Sequence, residues 1–310
     1  MAFAAVFPGQ GSQSTGMLAD LSESFSEVKE TFEQASDVLG KDLWALTKTD
    51  DGSLNHTENT QPVMLAAGVA VWRVWQSQGG ELPVGMAGHS LGEYSALVSS
   101  GILSFESAIT LVANRASFMQ QAVVEGEGAM AAIIGLDDDK VVSVCANAAE
   151  DGVAEAVNFN SPGQVVIAGD VKAIDRAIEQ LKEAGAKRAI KLAVSVPSHC
   201  SLMKGAAEQL AEKLSATTLN DAITPVLHNV NAQSLNNTDD IKVALSEQLF
   251  KPVRWVDTIN NLKNDLSADS IIEFGPGKVL FGLNRRIDRK LGNICVHDTA
   301  SLEKALDLNP

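Results

Sequence analysis

Residues 88–92 read Gly88-His-Ser-Leu-Gly92, the Gly-x-Ser-x-Gly pattern of a serine held on a tight strand-to-helix turn. Val84 to Gly88 ahead of it is a short apolar run that fits a buried strand, and Glu93 to Ser100 behind it has helical composition up to a stop at Gly101. The flanks thus supply the context the motif needs. Glycine is required on both sides because a Cβ there would collide with the neighbouring strand or helix, and the strained turn pushes the Ser90 hydroxyl into a cleft.

Upstream, Phe3 to Phe7 is strand-like and breaks at the glycine-rich loop Pro8 to Gln13. That loop lacks the Lys-Ser/Thr of a P-loop, so phosphate binding has little support. Thr60-Gln61-Pro62 opens a predicted helix, with Thr60 as cap and Pro62 in the first turn, that stays apolar through Trp75. A further helix is expected over Phe105 to Ala122, where Ala108, Val112 and Met119 form an apolar stripe. Arg115 lies on that stripe. A guanidinium on a buried face is costly unless paired, so it should meet either a protein carboxylate or the anionic end of a ligand.

From Gly128 the periodicity changes. Ala129 to Leu136, Val153 to Ala168 (two strands around Asn160 to Gly163) and Arg188 to Val196 read as strands; Asp137 to Ala149 and Val171 to Ala184 read as helices. That order, βαββαβ, is the ferredoxin-like unit. It would form a small subdomain over residues 127–197, inserted into a large α/β domain made of residues 1–126 and 198–310. In the latter, strands at Thr224 to Val230 and Ser270 to Phe274 alternate with helices at Cys200 to Leu214 and Thr238 to Leu249, as in an open, mainly parallel sheet.

Composition narrows the function. With 45% apolar and 20% charged residues the chain is globular, and no apolar run is long enough to span a bilayer. No secretory signal is visible, so a cytoplasmic location is expected. The net charge of -15 argues against nucleic acid or an anionic membrane as partner. Two basic sets interrupt the acidic background: Lys187, Arg188 and Lys191, and then Arg285, Arg286, Arg289 and Lys290, the latter on one side of a helix expected between Gly277 and Gly292. Cys145, Cys200 and Cys295 have neither disulfide nor zinc spacing.

A serine hydroxyl needs an adjacent base, most often histidine. Of the five histidines, His89 should point away from the turn, His56 sits in a polar loop and His228 lies in an apolar run. His297 would follow the chain order of ordinary α/β-hydrolases, whereas His199, at a strand end beside a domain crossing, would sit at the carboxyl edge of the sheet. The residues alone leave both open, with His199 slightly ahead.

Phe7 to Gln13, Thr60-Gln61-Pro62, Gly88 to Tyr94, Arg115, Asn158 to Gln164, Ser195 to His199 and Glu273 to Lys278 together resemble the malonyl-CoA:acyl carrier protein transacylases of bacterial fatty acid synthesis, nearly end to end. The resemblance implies a hydrolase-like α/β domain carrying a ferredoxin-like insert. It implies Ser90 as acylated nucleophile, His199 as its base, and the backbone N–H groups of Gln10 and Leu91 as the oxyanion hole. Arg115 would grip the malonyl carboxylate, and the Gln248 carbonyl would orient His199 in place of an acid, with Asn229 in support. Malonyl-CoA would be substrate and acyl carrier protein the acceptor, with no metal or bound cofactor; the chain is expected to act as a monomer.

One position departs from the pattern in related polyketide synthase domains, where the residue before the histidine helps separate malonyl from methylmalonyl substrates. Ser198 stands there. Serine is usual there in the stand-alone enzymes the chain resembles, so malonyl stays the expected group, with another 2-carboxyacyl group as an alternative. Separate rivals are a serine thioesterase or esterase sharing Ser90 and His199, and a non-catalytic carrier-binding module.

Overall fold

A computed structural model describes residues 2–194 and 196–308. Among the described residues nine strands form two sheets: β1 (Phe3–Phe7), β2 (Gly85–Gly88), β3 (Gly128–Ile134), β4 (Ala154–Ser161), β5 (Gln164–Asp170), β6 (Arg188–Lys191), β7 (Val226–Leu227), β8 (Ser270–Phe274) and β9 (Gly292–Val296). The first sheet runs β7-β2-β1-β8-β9 with every pair parallel, and the second runs β4-β5-β3-β6 with every pair antiparallel. The protein is thus α/β, with a mainly parallel sheet and a separate antiparallel one.

β1 is central, and its sequence shows why. All five residues are buried, as a parallel strand covered on both faces requires. Phe3, Ala5 and Phe7 face the helices Thr57–Ser77, Gly92–Ser99 and Phe105–Gln121, while Ala4 and Val6 face a second core with Trp255, Ile259 and Leu280. The first face is closed by aromatic edges, Phe274 lying 5.2 Å from Trp72 and 5.4 Å from Trp75. No helix among the described residues is long and apolar enough to cross a membrane.

In the antiparallel sheet, Ala131, Ile133, Val165 and Ile167 pack under the helices Asp138–Ala149 and Val171–Glu183. Met130, Val157, Val166 and Ala168 form the opposite face and pack with Cys200. That second face turns toward the parallel sheet, and Met130 and Val166 line the cavity between the two.

Several boundaries differ from the sequence reading. The Pro62 helix begins at Thr57, with His56 at its N-cap, and Thr60 Oγ1 donates to the Leu54 and His56 carbonyls instead of capping. β6 stops at Lys191, because after Leu192 N donates to the Met130 carbonyl the chain leaves the sheet edge and runs on to Pro197 and His199. β7 covers only Val226–Leu227: beyond it the chain curls, Ala232 N reaching the His228 carbonyl. The expected helix at Cys200 opens as a 3-10 turn over Ser201–Met203. The helix after Gly277 ends at Ile287, so Arg285 and Arg286 occupy its last turn, where the dipole favours cations, and Arg289 and Lys290 lie beyond it. Ser195 lies outside the described residues.

The carboxyl ends of β1 and β2 are side by side: Phe7 pairs with Gly88, and His89 N donates to the Phe7 carbonyl at 3.0 Å. A Cβ on Gly88 would stand 1.9 Å from the Gly92 backbone, and one on Gly92 would stand 2.1 Å from the Phe7 carbonyl oxygen. Neither neighbour is a flexible side-chain tip that can swing away. Gly88→Ala should therefore cost roughly 3 kcal/mol or more of stability, read as a lowered denaturant midpoint; an unchanged midpoint would show that the elbow can relax.

Candidate active site

The turn between β2 and the helix Gly92–Ser99 puts Ser90 in the left-handed region, at φ 52°. Asn229 braces it: its Oδ1 accepts from Ser90 N at 2.7 Å and its Nδ2 donates to the Gly88 carbonyl at 2.6 Å. Gln248 Nε2 donates to the Ser90 carbonyl at 3.0 Å. Three backbone groups of a strained turn are thereby satisfied by two side chains from the other half of the chain.

His199, also left-handed at φ 69°, is 2% exposed and sits with Nε2 2.8 Å from Ser90 Oγ. Its Nδ1 is 2.6 Å from the Gln248 carbonyl. A carbonyl only accepts, so Nδ1 carries the proton and Nε2 presents its lone pair to the serine. Burial pushes the His199 pKa down to about 3, with the Arg115 charge adding to the effect. The imidazole is therefore neutral at ordinary pH, and the pair can move the Ser90 proton to Nε2.

Arg115 projects from the helix Phe105–Gln121 and is 1% exposed. Nη1 donates to Gln61 Oε1 at 2.6 Å, and Nη2 donates to Gln248 Oε1 at 2.9 Å and to Ser90 Oγ at 3.2 Å. All three acceptors are neutral, and among the described residues Nε has none. Of the two partners expected from the stripe, the direct protein carboxylate is not the one found. A buried guanidinium aimed at a serine hydroxyl suits an anion that arrives with the acyl group.

Gln10, Ser90, Ser198 and His199 line one cavity of about 290 Å³ with the apolar side chains of Leu280 and Leu283. Among the described residues neither the Gln10 nor the Leu91 amide donates to a protein acceptor, which leaves both free for an oxyanion. His297 is elsewhere, with Nε2 3.3 Å from Asp298, beyond the end of edge strand β9. His89 turns from Ser90 to Asn160 Oδ1 at 2.7 Å. Gln61 and Glu93 fall within the motifs Thr60-Gln61-Pro62 and Gly88 to Tyr94, but neither has an expected role; both are buried polar residues on helices that bury most of their length.

The family model described as "Acyl transferase domain" matches residues 5–281. The chain belongs to this acyl transferase domain family. It is 52% identical over 307 residues to the malonyl CoA-acyl carrier protein transacylase of Escherichia coli (strain K12), covering 99% of each, and 54% identical over 301 residues to the one from Haemophilus influenzae, covering 96% of each. Among solved structures it is similar to an acyl carrier protein S-malonyltransferase from Vibrio cholerae, with a TM-score of 0.96 and 53% identity, over 98% of this chain and 100% of that one. A malonyl-transacylase solved in complex with a type II PKS acyl-carrier protein gives a TM-score of 0.98 at 52% identity, covering 100% of both chains. Both solved structures thus share the whole fold of this chain.

The depressed histidine sets a pH dependence. The inactivation rate of Ser90 by a neutral sulfonyl fluoride should stay flat down to about pH 5, because the base is still unprotonated there. Arg115→Gln should move the acid limb upward by removing the neighbouring positive charge. A wild-type limb near 6.5 would mean that His199 is not held neutral. The same depression lowers folding stability as pH falls from about 6.5 towards 3, since the unfolded chain takes up the proton first.

Proposed function

We propose that this chain transfers the malonyl group from malonyl-CoA to the phosphopantetheine thiol of acyl carrier protein, through a malonyl ester on Ser90. The observation that carries the reading is the convergence on Ser90 Oγ of a neutral histidine and a buried arginine that has no direct anionic partner among the described residues. The family and the names of its close relatives support the same activity.

Ser90 Oγ attacks the thioester carbonyl carbon as its proton passes to His199 Nε2. The carbonyl oxygen becomes an oxyanion facing the N–H groups of Gln10 and Leu91. As the C–S bond breaks, His199 returns the proton to the CoA sulfur, leaving the ester. The carrier thiol then gives its proton to His199, its sulfur attacks the ester carbonyl, and Ser90 leaves with the proton. Arg115 holds the free carboxylate throughout, and the apolar walls of the cavity disfavour water as the competing acceptor.

In the same reading, residues 1–126 and 198–310 form a hydrolase-like catalytic domain. Residues 127–197 form a ferredoxin-like subdomain, for which the strand order β4-β5-β3-β6 is the support. The acidic carrier would meet the basic last turn of Val279–Ile287, where Arg286 donates to Gln164 beside the cavity and Arg285 is exposed over the Phe281 ring. A cytoplasmic location belongs to this proposal as well.

Intact mass after brief exposure to malonyl-CoA should show a malonyl adduct that is missing in Ser90→Ala and moves to a carrier thiol when one is added. Loss of the adduct to water with the carrier untouched would make the protein a hydrolase instead. Arg115→Ala should lower kcat/KM for malonyl-CoA by about 100-fold or more, as expected when a buried charge-assisted contact is lost; an esterase would be indifferent. For docking, Arg285→Glu should raise KM for the carrier several-fold at low salt while leaving Ser90 acylation unchanged, and equal carrier kinetics would remove that patch from the interface.

A further inference from the structure

Glu93 follows the serine turn, is fully buried, and takes no part in the chemistry above. Its carboxylate faces donors: Gln248 Nε2 at 2.8 Å and Asn229 N at 3.0 Å on Oε2, and His228 Nδ1 at 2.8 Å on Oε1. The Gln248 amide is thereby fixed with its N–H edge to Glu93 and its oxygen to Arg115 Nη2 at 2.9 Å. Carboxylate, amide and guanidinium form one continuous chain of hydrogen bonds.

We propose that Glu93 is the counter-charge of Arg115, relayed through the Gln248 side chain, and is thus a positioning residue for the malonyl group. Burial works against the charged guanidinium, and the field of the nearby Glu93 carboxylate works in its favour. A carboxylate in direct contact would balance the charge equally well but would occupy the N–H edge that the malonyl carboxylate needs. One amide's remove keeps the charge compensated while the acceptors on that edge, Gln61, Gln248 and Ser90, are neutral and do not repel an incoming carboxylate. This inference rests on the reading of Arg115 as the malonyl anchor.

Glu93→Gln isolates the charge. The new amide oxygen can keep Gln248 Nε2 and Asn229 N, and its NH₂ can face His228, whose proton is free to move to the unpartnered Nε2. Free Glu93→Gln enzyme should melt about 6–10 °C below wild type, because Arg115 is left as an uncompensated buried charge. Acylation by malonyl-CoA, which brings its own carboxylate to Arg115, should recover most of that deficit, and a neutral sulfonyl group on Ser90 should recover none. The double variant Glu93→Gln/Arg115→Gln, with neither charge, should melt closer to wild type than Glu93→Gln does.

An equal deficit in the free, malonylated and sulfonylated forms would overturn the proposal, as would a double variant no more stable than the single one. If Glu93→Gln fails to fold, a folded double variant supports the counter-charge and an unfolded one refutes it. A wild-type protein that takes no malonyl adduct would defeat the transferase reading separately, and the double variant would still decide the charge relay.

Discussion

The left-handed turn at Ser90 is the constraint on which the rest depends. A non-glycine residue held there costs on the order of 1–3 kcal/mol, and it persists only where its surroundings over-determine it. Here the surroundings are specific. Gly88 and Gly92 allow the β1 carbonyl edge and the helix to close on the turn, and Asn229 and Gln248 take up its N–H and C=O groups. Asn229 can reach because β7 ends after two residues and releases the chain at that point. The shortness of the edge strand is therefore part of how the turn is built.

Gln248 ties the turn to the electrostatics. Its main-chain carbonyl fixes the His199 tautomer, its amide oxygen meets Arg115, and its amide nitrogen meets both the Ser90 carbonyl and Glu93. One residue at the end of the helix Thr238–Glu247 thus registers His199, Ser90 and Arg115 against each other. A carboxylate in place of that carbonyl would also orient the histidine, but it would put a negative charge in the same buried volume as Arg115 and weaken the pull on an incoming anion.

The sequence made the strand–turn–helix at Ser90 and the order of elements in the antiparallel sheet legible, because both are local patterns of apolar spacing and glycine placement. It gave less purchase on the three helices between Ala19 and Lys48, which are short or strongly polar on one face, and on Trp255–Asn264. Choosing between His199 and His297 needed information that no local pattern holds. β9 lies three strands from β2, roughly 14 Å at about 4.8 Å per strand, so a histidine beyond its end is out of reach of the serine. The residues allowed either histidine; the strand order and the family resemblance each separate them. The contacts of Gln61 and Glu93, though both residues lie in recognisable motifs, were not legible for a related reason: their partners are tens to more than a hundred residues away.

Under the proposed function two demands at the site conflict, and the substrate itself would resolve them. Anchoring a free carboxylate requires a buried positive charge beside the serine, yet that charge pushes the His199 pKa further down and weakens the imidazole as a base. A malonyl carboxylate seated on Arg115 would cancel the field that His199 feels, so the base would strengthen as the correct acyl group arrives. An uncharged acyl group of similar size would leave the field in place and meet a weaker base. Discrimination would then reside partly in the proton transfer and not only in the fit of the carboxylate, tying the choice of substrate to the same buried charge that would position it.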